Sequence, residues 1–136
     1  MKIFICASKH LYGHIAPIKK SLEDSGHIIT LPNSYDNPLR EIELKNLGSK
    51  EHSEWKASMI RAQKEKVNSN DAILVLNMEK NSQQNYIGGA TFLEIYMAFE
   101  LEKKIFLYNP LPESFIKDEL LGMNPTIING DLNLIK

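Results

Sequence analysis

Apolar residues along the chain form short runs that alternate with amphipathic stretches. Five runs, bounded by polar or turn-forming residues, predict β-strands at Lys2–Ala7, His27–Leu31, Asp71–Asn77, Lys104–Tyr108 and Thr126–Ile128. The third run, DAILVLN, is apolar at five consecutive positions. Only a strand covered on both faces tolerates such a run, so we place this strand centrally in a parallel sheet.

The stretches between these runs have helical periodicity. In the first, Ile15, Ile18 and Leu22 share one face, and Gly26 stands where helices usually stop. Helices are predicted at about His14–Ser25, within 40–51 ending at Gly48, and at Ser53–Val67, Thr91–Leu101 and Glu113–Leu121. Alternating strands and helices form βαβ units. We therefore predict one α/β domain over residues 1–136, a flavodoxin-like three-layer sandwich with a central parallel sheet of about five strands.

Composition and charge exclude several classes of protein and of partner. Sixteen Lys and Arg residues balance seventeen Asp and Glu residues, so no overall positive field attracts a nucleic-acid polymer. No apolar run approaches the roughly 18 residues of a membrane helix, and the N-terminal run is too short for a signal peptide. A single cysteine, Cys6, excludes an internal disulfide, and no metal-ligand spacing occurs. We expect a cytoplasmic protein without a cofactor, a metal or a membrane partner.

Ligands of open parallel sheets bind at the carboxyl ends of the strands, where the strand order reverses. Three segments reach that edge, namely 7–10, 77–91 and Asn109–Pro110. Ser8 follows the first strand and either caps the next element or binds a phosphate or sugar. His10 and His14 either contact an anion or are ordinary surface histidines. Cys6 is assigned to the core, and Trp55 to the core rather than to a stacking platform. Asp71, at the opposite end of its strand, is assigned to a turn or cap.

The clearest candidate segment joins a glycine pair to a helix that contains a glutamate. Gly88 and Gly89 permit close approach of a ligand, and the following helix start favours an anion; a turn that needs glycine only for its backbone is the alternative. Glu94 lies about one turn into this helix among apolar residues. Glu100 and Glu102 lie about 240° and 80° away around the helix, so spacing does not force Glu94 outward. It faces either solvent or a cleft.

These residues resemble a known family. The strand end Cys6-Ala7-Ser8, the strand 69–76, the segment 88–98 (GGATFLEIYMA) and the strand start 103–105 are similar to the nucleoside 2-deoxyribosyltransferase superfamily, which includes 2'-deoxynucleoside 5'-phosphate N-hydrolases. The resemblance spans most of the chain and is loosest at 32–68. It implies a flavodoxin-like sheet, a nucleoside or nucleotide as the small-molecule ligand, and a homodimer or higher homo-oligomer. The apolar pairs Phe92-Leu93 and Tyr96-Met97 would suit such an interface.

The resemblance also implies roles for individual residues. Glu94 matches the family's nucleophile, which attacks C1' of the sugar and forms a covalent glycosyl-enzyme, as in retaining glycosidases. Thr91 matches a threonine that often precedes this glutamate, and Ser8 matches a sugar- or phosphate-binding position. The residues expected to bind substrate are Ser8, Lys9, His10, Arg61, Asn77, Tyr86, Gly88, Gly89 and Thr91.

The chain departs from the family pattern at three places. Tyr96 replaces a small residue, Gly88 replaces an Asp or Ser, and the helix before the third strand lacks the family's Asp, so the proton donor to the leaving base is unassigned. Arg61 is a candidate partner for an anionic substrate or for Glu94.

Two hypotheses for the function follow. The first is an enzyme that cleaves or transfers an N-glycosidic bond, with hydrolysis favoured over transfer; the second is a catalytically inactive nucleotide-binding or sensing module.

Overall fold

A computed structural model describes residues 1–136 and shows an α/β three-layer sandwich of flavodoxin type. The strands are β1 (Lys2–Cys6), β2 (Ile28–Thr30), β3 (Ala72–Val75), β4 (Lys104–Leu107) and β5 (Thr126–Ile127). They form one sheet in the order β2-β1-β3-β4-β5, and every pair is parallel. β1 and β3 are neighbours, and the chain leaves them toward opposite edges of the sheet. A ligand crevice is therefore expected beyond the carboxyl ends of these two strands.

Five α-helices connect the strands. They are α1 (Ile15–Asp24), α2 (Arg40–Leu47), α3 (Ser49–Asn68), α4 (Gly89–Glu100) and α5 (Lys117–Gly122). Short 3-10 helices span Lys9–His14 and Leu132–Leu134, and sequence periodicity did not predict either of them. No helix is both long and apolar enough to cross a bilayer.

The two faces of the sheet build separate apolar cores. Alternate β1 residues divide between them: Ile3 and Ile5 pack with α1, whereas Phe4 and Cys6 pack against Val67 of α3 and against α4. β1 and β3 are buried almost throughout, as the apolar run in β3 predicts. The assignment of Cys6 to the core is confirmed, and Asp71 accepts a hydrogen bond from the Lys2 amide at 2.7 Å, far from the carboxyl edge.

Gly48 separates α2 from α3. Its backbone has φ of 150° and ψ of 167°, a conformation that L side chains rarely adopt, and a Cβ there would lie 2.6 Å from the Glu51 carboxylate. The predicted helix end at Gly48 is therefore confirmed. α3 begins at once after this glycine, four residues before the predicted start, because no proline or turn sequence delays it.

The outer face of α4 is only partly as predicted. Leu93 and Tyr96 are exposed, but Phe92 and Met97 pack against the core and are unavailable to a partner. Phe99, two turns after Phe92, is exposed instead. Helical spacing explains the difference, because Leu93, Tyr96 and Phe99 follow one another at three-residue intervals on the solvent side.

Candidate functional site

A cavity of about 440 Å³ opens beyond the carboxyl ends of β1 and β3. The segment after β1 forms one side, the start of α4 forms another, and α3 closes the wall opposite. The polar and aromatic side chains of its wall are Ser8, Lys9, His10, Tyr12, Asn33, Ser34, Glu41, Trp55, Lys56, Gln63, Lys80, Tyr86, Thr91 and Glu94. The cavity therefore lies at the edge where parallel sheets bind ligands.

Glu94 lies deep in this cavity. It occupies the second turn of α4 on the side that faces the sheet, and only 5% of its surface is exposed. Its neighbours on that side, Ile95 and Ala98, belong to the apolar core. Sequence spacing left two orientations open for Glu94. In the structure its side chain faces the cleft and not solvent.

Burial changes the protonation of Glu94. Loss of hydration raises the pKa of its carboxyl group from 4.5 to about 8, although Gln63, Cys6 and Lys66 lie nearby and favour the charged form. The carboxyl group in turn helps to raise the pKa values of the Cys6 thiol and the Tyr12 hydroxyl, the latter to about 12. At neutral pH Glu94 is therefore mostly an uncharged acid, and its ionisation responds to any charge that enters the cavity.

Gln63 links α3 to the start of α4. Its side chain is nine-tenths buried, its amide donates to the Ala90 carbonyl at 3.3 Å, and it also favours the charged form of the Glu94 carboxyl. Sequence reasoning missed this residue because a glutamine within a charged helix carries no local signal. Its position four residues after Met59, another wall residue, is the spacing that would have placed it on the cavity face.

The start of α4 offers hydrogen-bond donors to the cavity. Gly88 precedes the helix in an extended conformation, and the first helical bond runs from the Phe92 amide to the Gly88 carbonyl. The amides of Gly89, Ala90 and Thr91 therefore have no partner within the helix. Thr91 is 6% exposed and lines the cavity beside these amides. A polar ligand at this point would satisfy these groups.

A cluster of charges on α2 and α3 forms a second part of the wall. The Glu41 carboxylate contacts Lys9 Nζ at 2.9 Å, His52 Nε2 at 2.8 Å and Lys56 Nζ at 2.9 Å. Burial raises the Glu41 pKa, but these three hydrogen bonds outweigh that effect and hold it well below its usual range. Lys9 and Lys56 also lie 5.8 and 5.4 Å from the centre of the Trp55 ring. The cluster fixes two cations and one aromatic ring at the cavity.

The loop after β3 adds a third cation. A tight turn, with φ of 48° at Asn81 and 67° at Ser82, pairs the backbones of Lys80 and Gln83. It places Lys80 Nζ 4.9 Å from the centre of the Tyr86 ring, and Lys80 forms no ion pair with a carboxylate. Burial and the charge of Lys80 lower the pKa of His10. This side of the cavity therefore favours an anionic group.

Most of the predicted site residues meet in the cavity, but two do not. Ser8, Lys9, His10, Tyr86, Gly88, Gly89, Thr91 and Glu94 all line it. Arg61 is exposed outside the wall, because two helical residues span about 200° and it points away from Met59 and Gln63. Asn77 is fully buried, and its side chain binds the backbone of Asn109 and Pro110 after β4, so its role is structural.

Two further assignments change with the structure. Trp55 was placed in the core, but it is half-buried and lines the cavity, because this turn of α3 extends past the end of the sheet. Ser8 does not cap the following 3-10 helix with its side chain; the Leu11 amide donates to its carbonyl instead. No group of three or more His, Cys, Asp or Glu side chains is arranged to hold a metal ion.

Comparison of the chain with models of known protein families gives no match, and comparison with curated proteins finds no significant match. The fold and the chemistry of the cavity are therefore the observations that bear on function.

Proposed function

We propose that the protein cleaves the N-glycosidic bond of a nucleoside or nucleoside 5'-monophosphate, with Glu94 as the nucleophile. The observation that carries this proposal is the buried Glu94 carboxyl group at the ligand-binding edge of the sheet. Buried carboxyl groups are rare unless they are paired, and those with strongly perturbed pKa values occur most often at functional sites. The proposal includes membership of the nucleoside 2-deoxyribosyltransferase superfamily.

The reaction begins with the charged form of Glu94. As the base departs, C1' of the sugar acquires positive charge, and a carboxylate oxygen at about 3 Å captures it. Water then attacks C1', releases the sugar and regenerates the carboxylate. The proton that this water loses to solvent balances the proton that the departed base takes up. With a pKa of about 8, only about a tenth of the Glu94 side chains are charged at pH 7. The rate should therefore rise with pH up to about 8.

The remaining wall residues hold the substrate. Lys80 and the free amides at the start of α4 bind a phosphate, and the Thr91 hydroxyl binds the sugar. The aromatic rings of Trp55 and Tyr86 supply apolar area for the base. Of the two reactions, hydrolysis is preferred, because it needs only water to accept the sugar.

A second candidate function, a nucleotide-binding or sensing module without catalysis, is favoured by one observation. Glu94 is mostly protonated at neutral pH, and a protonated carboxyl group is a poor nucleophile. This candidate predicts saturable nucleotide binding without release of the base.

The two candidates are separated by chromatography of base release from a panel of nucleosides and 5'-monophosphates, with calorimetry of binding in parallel. Wild type, Glu94→Gln and Glu94→Ala are compared with Glu100→Gln, a matched control because Glu100 lies on the same helix but is exposed. The expected result is release that falls at least about 10³-fold in both Glu94 variants and is unchanged in the control. Release that persists in Glu94→Gln would refute the mechanism; binding without release would favour the sensing module.

The proposal also includes self-association through the outer face of α4. Leu93, Tyr96 and Phe99 are 38%, 52% and 48% exposed, and they form one apolar row. The occupant proposed for this row is the same row of a second copy, because α4 starts at the cavity and a copy placed there would cover its rim.

A further inference from the structure

A second cavity, of about 400 Å³, lies beyond the carboxyl ends of β3 and β4. The loop 83–89 after β3 forms one side, and residues 112–116 after β4 form the other. Tyr86, Gly88 and Gly89 line both cavities, so the two are neighbours with a common wall. The second cavity therefore lies at the same ligand-binding edge of the sheet, and its volume is typical of small-molecule sites.

The second cavity differs from the first in its charge. The wall of the first has three lysines and two carboxyl groups, whereas the second wall has a single charged side chain, Glu113. The Glu113 carboxylate is exposed and forms an ion pair with Lys117 on the next helical turn. A charged ligand would therefore leave water without finding an unpaired opposite charge in this wall, which is costly. The second cavity favours an uncharged ligand.

The deep part of the second wall is apolar, and its rim carries one unusually exposed aromatic ring. Ile87, Pro112 and Ile116 are buried, and their side chains offer no hydrogen bonds. A sugar, which has hydroxyl groups on both faces, would leave some of them unpaired against these residues. Phe115 lies at the rim and is 95% exposed, so its ring has almost no contact within the chain. A flat ligand would give this ring a stacking partner.

Carboxamide groups form the polar part of the second wall. Gln83, Gln84 and Asn85 are consecutive in the loop after β3, and both glutamines are exposed to water. An aliphatic ligand would remove water from these groups without replacing its hydrogen bonds. A heterocycle with donors and acceptors at its edge replaces them, since carboxamides of Asn and Gln form paired hydrogen bonds with the edge of adenine.

We propose that the second cavity is a binding site for an uncharged, planar nitrogen heterocycle of the nucleobase class, which stacks on Phe115 and bonds through its edge to the carboxamides of the loop after β3. Three properties of the wall select this class, namely the lack of an unpaired charge, the apolar depth with an exposed aromatic ring, and the run of carboxamides. The inference goes beyond the proposed function and does not depend on it, because it requires no reaction at Glu94.

The test titrates the isotope-labelled full chain with adenine and follows its backbone amide signals by NMR, which locates the bound ligand. Three comparison ligands each lack one property of adenine: benzoate is charged, ribose is not flat, and toluene has no polar edge. Phe115→Ser removes the stacking ring, and its fold should be unaffected because Phe115 is 95% exposed. Leu121→Ser is the matched control, since Leu121 is an exposed apolar residue outside both walls.

Adenine should shift the signals of residues 83–86 and 113–116 saturably below about 5 mM, with each comparison ligand binding more weakly. Its affinity should fall at least about 5-fold in Phe115→Ser and stay unchanged in Leu121→Ser. No saturation, shifts confined to the first cavity, or equal affinity of wild type and Phe115→Ser would overturn the site. Equal affinity for benzoate, ribose or toluene would overturn the ligand class. Base release by Glu94 is assayed separately, so its failure is distinguishable from failure of this site.

Discussion

Replacing Glu94 with Gln should stabilise the protein at high pH and leave its stability nearly unchanged at low pH. A glutamine side chain resembles the protonated carboxyl group in size and in hydrogen-bonding groups, but it cannot ionise. Glu94 is 5% exposed, so the folded state strongly disfavours the charged form, whereas the unfolded chain ionises this residue at its ordinary pKa.

The magnitude follows from the two pKa values. The pKa of Glu94 is about 8 in the folded state against an ordinary value of 4.5, and each pH unit between them is equivalent to about 1.4 kcal/mol. Below pH 4.5 the residue is protonated in both states and has no effect on stability through its ionisation. Between pH 4.5 and 8 only the unfolded state ionises, so the folded wild type loses stability. The loss is about 3 kcal/mol at pH 7 and reaches about 5 kcal/mol above pH 8.

The assay is urea unfolding of wild type and Glu94→Gln at pH 4, 7 and 9, with the free energy of unfolding extrapolated to zero urea. Glu100→Gln is the control, because an exposed carboxyl group should change stability by less than about 0.5 kcal/mol at each pH. An equal free energy of unfolding for wild type and Glu94→Gln at pH 9 would refute the reasoning. The result does not depend on the proposed function, since it requires only the burial of the carboxyl group.

Four other predictions follow from the contacts described. Gln63→Leu removes the amide beside the Glu94 carboxyl, so the pH midpoint of base release should move up by roughly one to two units, measured as a pH–rate profile. Glu41→Gln breaks its contacts with three side chains and should reduce the free energy of unfolding at pH 7 by about 1–3 kcal/mol in urea. This difference should shrink progressively as pH falls below about 4.5, because the unfolded chain becomes protonated there while the folded carboxylate, whose pKa lies well below its usual range, is still charged. Asn77→Ala leaves backbone groups of the loop after β4 unpaired and should cost about 2–3 kcal/mol in the same assay, with little change in ligand affinity. Tyr96→Glu should convert a dimer to a monomer in light scattering, because it places a charge in the apolar row of α4.

Each of these has a contradicting outcome. An unchanged pH midpoint in Gln63→Leu would mean that this amide does not act on the nucleophile. A stability difference for Glu41→Gln that is as large at pH 3 as at pH 7 would show that the lost contacts are not ionic. Loss of ligand affinity without loss of stability in Asn77→Ala would return Asn77 to the site. A wild type that is already monomeric would remove the proposed interface on α4.

The local pattern of apolar and polar residues was sufficient to predict the strands and most of the helices. The all-apolar β3 segment could only be a central strand, and its neighbours in the sheet followed from the βαβ connections. Element ends differed by one to four residues, and the 3-10 helix Lys9–His14 was missed, because Gly13 and two histidines give it no periodicity. These differences are small, because the apolar face of a helix or strand can be buried even when its terminal residues are frayed.

The candidate site was predicted where its residues lie close to the carboxyl edge of the sheet. Ser8 follows β1 directly, and Thr91 and Glu94 lie in the first two turns of α4, the helix that follows β3 and its loop, so their edge of the sheet follows from the topology. Arg61 was misplaced because the direction of a single helical side chain depends on the rotation of α3 about its axis. That rotation is set by packing of Val67 against the sheet and of Gln63 against Ala90, which are contacts between residues distant in the chain.

Only the tertiary structure determines which carboxyl groups of the site are buried and which are charged. The order of residues established that a glutamate stands one turn into a helix after two glycines, because helix periodicity and turn formation act over a few neighbouring positions. It carried no information on the burial of that glutamate or on the three contacts that keep Glu41 charged. Those properties depend on desolvation and on charges brought together from α2, α3 and the segment after β1, and electrostatic energies depend on distance in space rather than along the chain.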